Sequence, residues 1–281
     1  MRHRLGLRPP AVSALTIQAP VALVLATPRS RLRDAGIYTL QMWSYYAHYD
    51  MPDDQPERLE ARTRVGYPVA IDRVFGAGEL PTVRLQRALG RPGRLRPHDV
   101  ALSCVHWTWF FVPHGTMAYL LWRHPGHYAR SATLMAVAFD LGALVYWALP
   151  TAPPWWASKT GKTPPVRRIM EETGERIWGR LWRPLYDLVE GNPFAAMPSL
   201  HFGTSVMSAL VLSGVGRRAG ATGWAYALTL GFGLVYLGEH YVVDLAAGFA
   251  LAVGVHRLAP HLGPAVARIG GAIQRLEPRV A

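Results

Sequence analysis

Two histidines and an aspartate stand where apolar segments begin: His201 in Pro198-Ser199-Leu200-His201, and His240 with Asp244 in Glu239-His240-Tyr241-Val242-Val243-Asp244. An aspartate four residues after a histidine shares its helical face, so the carboxylate can hold one imidazole nitrogen and leave the other as a base or nucleophile. A second imidazole within reach supplies the acid for a leaving oxygen. Pro198 suits the first turn of a helix, and the unpaired amides from Ser199 to His201 suit an anion such as a phosphate oxygen. Ionisable groups are costly in the bilayer core but meet water and lipid headgroups at helix ends. Together these residues point to attack on phosphorus and protonation of a leaving oxygen at a membrane face. Two histidines and a carboxylate also form a zinc or iron ligand set, but Asp244 is spaced to support His240 rather than to ligate beside it.

Rigid elements must hold these groups, and the apolar runs supply them. Six segments, 11–27, 100–122, 133–149, 198–215, 223–238 and 241–258, approach the ~20 residues that a membrane-crossing helix needs. They predict an all-α fold, a polytopic transmembrane helical bundle of about six spans with interfacial helices. The first segment is interrupted by Pro20 and is marginal in length; with no small-residue cleavage site after it, a retained anchor is favoured over a removable signal peptide. The connectors after 215 and 238 are short, so 198–215 and 241–258 run in the same direction. His201 and His240 therefore open on one face, with the insert 150–197 and the chain before 100.

Residues 1–98 read as an N-terminal anchor and an arginine-rich interfacial region, in which Trp43, Tyr45, Tyr46 and Tyr49 suit a helix at headgroup level. Residues 99–281 read as the transmembrane catalytic domain. Hydrophobic residues make up 50% of the 281, which argues against a soluble enzyme, and the formal net charge of +12 is mostly arginine between the apolar runs. Such loops suit anionic headgroups or phosphate substrates. No motif or basic helix accompanies the charge, so nucleic acid is not an expected partner. Cys104 is the sole cysteine, which excludes an intrachain disulfide or a cysteine-based metal site and leaves it a small packing residue.

Pro-Ser-Leu-His followed by Gly-Glu-His-Tyr-Val-Val-Asp resembles the second and third motifs of the type 2 phosphatidic acid phosphatase superfamily. The tyrosine after His240 and the stretch Thr-Ala-Pro-Pro-Trp-Trp at 151–156 are similar to its inositol phosphorylceramide synthase-like branch. The resemblance implies that His240 attacks phosphorus to form a phosphohistidine, Asp244 orients it, His201 protonates the leaving group and Ser199 binds a phosphate oxygen. It also implies that neither a metal ion nor another cofactor is required. Arg176, six residues, Arg183 and Pro184 resemble the first motif with arginine in place of lysine, and arginine can clamp phosphate in a fork. Lys159, Lys162 and Arg180 are rival clamps. Leu234 stands where the phosphatases keep an arginine ahead of the third-motif histidine, a departure shared with the transferase branch.

The implied enzyme is a lipid phosphatase or phosphotransferase whose partners are a membrane lipid, the bilayer and a possible polar alcohol acceptor, with its active site extracytoplasmic or lumenal. Alternatives of other classes are a non-catalytic lipid-binding or transport protein, and a haem-bearing carrier using His106 and His114, which fall eight residues apart in one expected span. More simply, those two histidines hydrogen-bond within the bundle. Asp140, in mid-span, is expected to pair with a histidine or arginine or to be protonated. Glu239 either tunes His240 or faces solvent. Trp155 and Trp156 are expected to anchor the interface, with the floor of a lipid slot as the alternative, and Gly231, Gly233 and Gly238 to permit close helix approach.

Overall fold

The computed structural model describes residues 9–51, 55–187 and 192–275, and every extended element among them is helical. First come α1 (Pro9–Ala26), α2 (Arg31–Asp50), α3 (Pro56–Arg62), α4 (Gly66–Phe75) and α5 (Pro81–Leu89). Then come α6 (Pro97–Thr108), α7 (Val112–Arg123), α8 (Pro125–Ala148), α9 (Pro154–Lys159), α10 (Ile169–Trp178) and α11 (Trp182–Tyr186). Last are α12 (Leu200–Ser213), α13 (Arg217–Tyr236) and α14 (Val242–Gln274). Proline opens or closely follows the start of many of these helices, where its fixed φ is favourable and its missing amide costs nothing.

Two helices are long and apolar enough to cross a bilayer, α8 with mean hydropathy 1.4 and the Val242–His261 part of α14 with 1.6; Ala11–Ala26 and Leu200–Ser213 are shorter apolar helices. The architecture is thus a helical membrane bundle. α12 packs on α13, α14 and α8, and α13 also on α6. Between α12 and α14 the backbones almost touch, since a Cβ on Gly203 would lie 2.8 Å from the Gly248 carbonyl oxygen. In lipid such close packing, rather than exclusion from water, holds helices together.

The expected span 100–122 is not one helix. It breaks at 109–111 into α6 and α7, because Pro113 in the first turn of α7 has no amide to continue the ladder and its ring would collide with the carbonyl four residues back. In the aromatic patch of 43–49, Tyr45 and Tyr49 pack inward while Trp43 and Tyr46 are exposed. α2 is a 20-residue helix packed on α1 and α8, with Tyr45 against Phe139 at 4.7 Å and Tyr49 against Tyr146 at 5.9 Å between ring centroids. Asp140 pairs with an amide rather than a charged group: its Oδ2 accepts from Gln41 Nε2 at 2.8 Å. Cys104 is exposed on α6 rather than packed.

Three buried clusters surround the ends of the motif helices. Phe139, Leu200 and Met207 belong to one, Val69, Phe194 and Tyr241 to a second, and Ile169, Trp182 and Leu237 to a third. The insert is stitched between them by backbone. Thr151 N–H donates to Phe194 O at 2.8 Å, Ala196 N–H to Thr151 O at 3.2 Å and Ala152 N–H to Arg64 O at 3.0 Å. Helices α4 and α5, from the region before residue 98, pack on α14 and α13.

Candidate active site

His240 lies in the turn between α13 and α14, and that turn is fixed from several directions. Gly238 adopts φ +86°, and a Cβ there would lie 2.6 Å from the Arg167 carbonyl oxygen, so the position needs glycine for both conformation and space. Trp155 N–H donates to Gly238 O at 3.1 Å and Ile169 N–H to Leu237 O at 3.1 Å. Gln86 of α5 donates to Tyr236 O and to Arg167 O, both at 2.8 Å. On the far side, Asp72 of α4 is fully buried and accepts from Val243 N–H and Val242 N–H, each at 2.9 Å, capping the first turn of α14.

The structure brings together the three groups singled out in the motifs. His240 Nδ1 is 3.3 Å from Asp244 Oδ2, which also accepts from Tyr241 N–H at 2.9 Å. His240 Nε2 is 3.2 Å from His201 Nδ1. With Asp244 ionised these contacts set a tautomer, because an ionised carboxylate only accepts. Nδ1 of His240 carries the proton, Nε2 is left with a lone pair, and His201 Nδ1 donates to it. His201 is held in turn by Trp109, whose ring centroid lies 4.2 Å away and whose Nε1 is anchored on Thr204 Oγ1 at 2.9 Å. Asp244 is fully buried and His240 is only 4% exposed, so the pair is shielded from competing water.

Both histidines line a cavity of about 290 Å³. One wall is apolar and aromatic, from Met42, Tyr45, Tyr49, Trp109 and Phe139; the other carries Arg168, Glu239, Trp155 and Tyr186. Arg168 Nε is 3.1 Å from Glu239 Oε1, its Nη2 donates to Tyr186 Oη at 2.8 Å, and its guanidinium lies 4.1 Å above the Trp155 ring. Burial works against its charge, but Glu239, Tyr186 and Glu171 more than offset that and hold its pKa above the ordinary arginine value. Glu239 therefore faces the Arg168 guanidinium rather than loop solvent. Trp155 is a floor of the cavity, while Trp156 packs edge-on against Phe194. His106 and His114, on separate helices, both line the cavity, and His114 Nδ1 is 3.0 Å from Tyr38 Oη.

The structure does not bring the other expected phosphate-binding residues to this cavity. Arg176 borders a separate cleft with Arg91, Arg94 and Arg96. Arg183 is exposed and bonds Asp187 at 2.9 Å and Glu171 at 3.4 Å. Ser199 is fully buried as the N-cap of α12; its Oγ accepts from Phe202 N–H at 3.3 Å, and its own N–H donates to Asp244 O at 2.9 Å. Its visible role is to tie α12 to α14, which sets His201 beside His240. Arg168 had no signal in the sequence that distinguished it from the other arginines of the insert.

A two-histidine and aspartate site at the helix ends of a membrane bundle is the class that fold and geometry define. A family model for the PAP2 superfamily matches residues 95–258, and the chain belongs to that superfamily. It is 31% identical over 158 residues to the inositol phosphorylceramide synthase catalytic subunit aur1 of Schizosaccharomyces pombe, a match covering 51% of this chain and 37% of that protein. It is 34% identical over 120 residues to the inositol phosphorylceramide synthase of Candida albicans, covering 41% and 26%. The chain therefore matches well under half the length of either relative. No solved structure matches it.

Proposed function

We propose that this protein is a multi-pass membrane enzyme that moves a phosphoryl group, bare or bearing a headgroup, from a lipid phosphate or phosphodiester to an acceptor. The observation that carries this reading is the chain of contacts from Asp244 through His240 to His201 at the wall of an aromatic-lined cavity. A lipid phosphate entering between the two rings replaces their mutual hydrogen bond. His240 Nε2 then bonds to phosphorus, the bond from phosphorus to the leaving oxygen breaks, and His201, entering the step as an imidazolium, gives a proton to that oxygen and becomes neutral. Asp244 stabilises the positive charge that develops on His240. In the second half-reaction an alcohol or water gives its proton to His201 and its oxygen to phosphorus, releasing His240. The two imidazoles supply both nucleophile and acid, so the scheme needs no metal ion. Membership in the superfamily and similarity to inositol phosphorylceramide synthases support a phosphotransferase over a simple phosphatase. Lipid binding without turnover is the competing outcome.

The test uses purified, detergent-reconstituted protein with radiolabelled phosphatidic acid and phosphatidylinositol, with and without alcohol acceptors. Released phosphate and new lipid are both read. The wild type is expected to turn over in the presence of chelator, and His240→Ala and His201→Ala to lose turnover while retaining a folded, monodisperse profile. Full turnover by His240→Ala sinks the proposal, as does binding without product in the wild type.

A further inference from the structure

His106 is a third imidazole in the cavity, and the reactions above do not use it. It is 4% exposed, lines the cavity with His201 and His240, and its ring centroid lies 4.9 Å from that of His201. Neither its Nδ1 nor its Nε2 has a hydrogen-bond partner among the described residues. The neighbouring polar groups are otherwise engaged: His201 with His240, Trp109 with Thr204, and Arg168 with Glu239 and Tyr186. A buried polar group without a partner is costly, so a buried imidazole unpartnered at both nitrogens beside a reacting pair points to a ligand that completes it.

The chemistry of that ligand follows from what an imidazole offers. A neutral ring has one donor and one acceptor. The non-bridging oxygens of an ionised phosphate only accept, so phosphate alone leaves the accepting nitrogen unmatched. A hydroxyl both donates and accepts. Water does so as well and is the rival occupant, since Arg168, Glu239 and His240 also line the cavity.

We propose that His106 binds the hydroxyl of the alcohol that exchanges with the phosphoryl group. This rests on the phosphohistidine reading above and adds to it a residue that favours alcohol over water as acceptor. His106 holds the hydroxyl by hydrogen bonding and exchanges no proton itself. As the alcohol oxygen bonds to phosphorus, the bond from phosphorus to His240 Nε2 breaks and the alcohol proton passes to His201.

The experiment compares wild type, His106→Phe, His106→Met and His106→Gln as full-length, detergent-reconstituted protein. Donors are phosphatidic acid and phosphatidylinositol labelled in the phosphate; alcohols are myo-inositol, glycerol and a short-chain ceramide. Three quantities are read: base-stable, acid-labile label on the protein, label released by water, and label in new lipid. His106→Phe and His106→Met are expected to take up label as the wild type does. Their KM for the alcohol rises, and the ratio of transfer to hydrolysis falls, by about tenfold, the size of one lost hydrogen bond. His106→Gln, which keeps a donor and an acceptor, recovers most of both. An unchanged ratio and KM in the apolar variants overturns the inference, and so does an equal loss of transfer and hydrolysis, which would make water the occupant. If the wild type takes up no label, the phosphohistidine reading fails and this inference fails with it. Labelling of the wild type with unchanged variants removes the inference alone.

Discussion

Arg168 is the charge best placed to meet a phosphate beside His240. It lines the cavity, stacks over Trp155 and is oriented by Glu239 and Tyr186, so its fork is ordered before a substrate arrives. Preorganised donors of this kind are worth about 100- to 1000-fold in rate, and Arg168→Gln is expected to reduce kcat by that order. Arg168→Lys keeps the charge but loses the planar fork and should fall between the two. Arg176 and Arg183 lie outside the cavity, and the ion pairs of Arg183 are exposed and contribute little, so Arg176→Gln and Arg183→Gln are expected to stay within about twofold of wild type. Steady-state kinetics on the four variants checks this, and a greater loss from Arg176→Gln than from Arg168→Gln would return the clamp to the expected motif. The contrast shows which site residues a sequence makes legible. His240 and Asp244 are four residues apart, so local helical geometry predicts their contact. Arg168 reaches the site only because Trp155, Tyr186 and Glu239, brought from three separate segments, converge on it.

Helix α14 carries Asp244 in its first turn, and the cap on that turn comes from α4, outside the segment matched by the superfamily model. Asp72→Ala removes two acceptors from buried amides and is expected to cost about 1–2 kcal/mol of stability, the range for a lost N-cap. It should also lower kcat more than it raises KM, because His240 sits just before the uncapped turn. Burial pushes the Asp72 carboxyl up to about 6, against the pull of the Val243 and Val242 amides. Its folded pKa thus exceeds its unfolded value, so its stabilising contribution is full below about pH 4 and is lost as pH rises through about 6. Asp72→Asn cannot titrate. Thermal melts from pH 4 to 7 should show the wild type losing melting temperature relative to Asp72→Asn across that window; parallel curves would contradict the assignment. The core helices α8, α12, α13 and α14 were legible as apolar runs. The capping role of α4 was not, because a single aspartate in an arginine-rich stretch reveals nothing about a contact 170 residues away. The break between α6 and α7 was less visible for a different reason, since hydropathy is continuous across 109–111 and only Pro113 interrupts the backbone ladder.

At the scale of the whole molecule, the meeting of His201 and His240 constrains how a chain of the proposed multi-pass kind crosses the bilayer. The two rings can touch only if α13 returns the chain to the face from which α12 departs. At 1.5 Å per residue the 20 residues of α13 reach about 30 Å, the thickness of the hydrocarbon core. On that proposed path the insert around α9 lies on the active face and the turn before Arg217 on the opposite one. We propose that the active face lies outside the cytoplasm, on the resemblance to the superfamily. The basic loops do not decide it, because Arg123, Arg130, Arg217 and Arg218 flank one face while the arginine-rich insert lies on the other. A membrane-impermeant maleimide applied to intact cells tests the assignment. Cys104 is exposed on α6, so the background must be Cys104→Ser. Gly161 has φ +72° and a side chain there is strained, which makes the exposed neighbour Lys159 the better reporter position. Lys159→Cys is expected to label from outside, and Arg218→Cys only after permeabilisation. Labelling in the reverse order would put the active face in the cytoplasm while leaving the two-sided path intact. Labelling of both positions from the same side would instead mean that α13 does not cross.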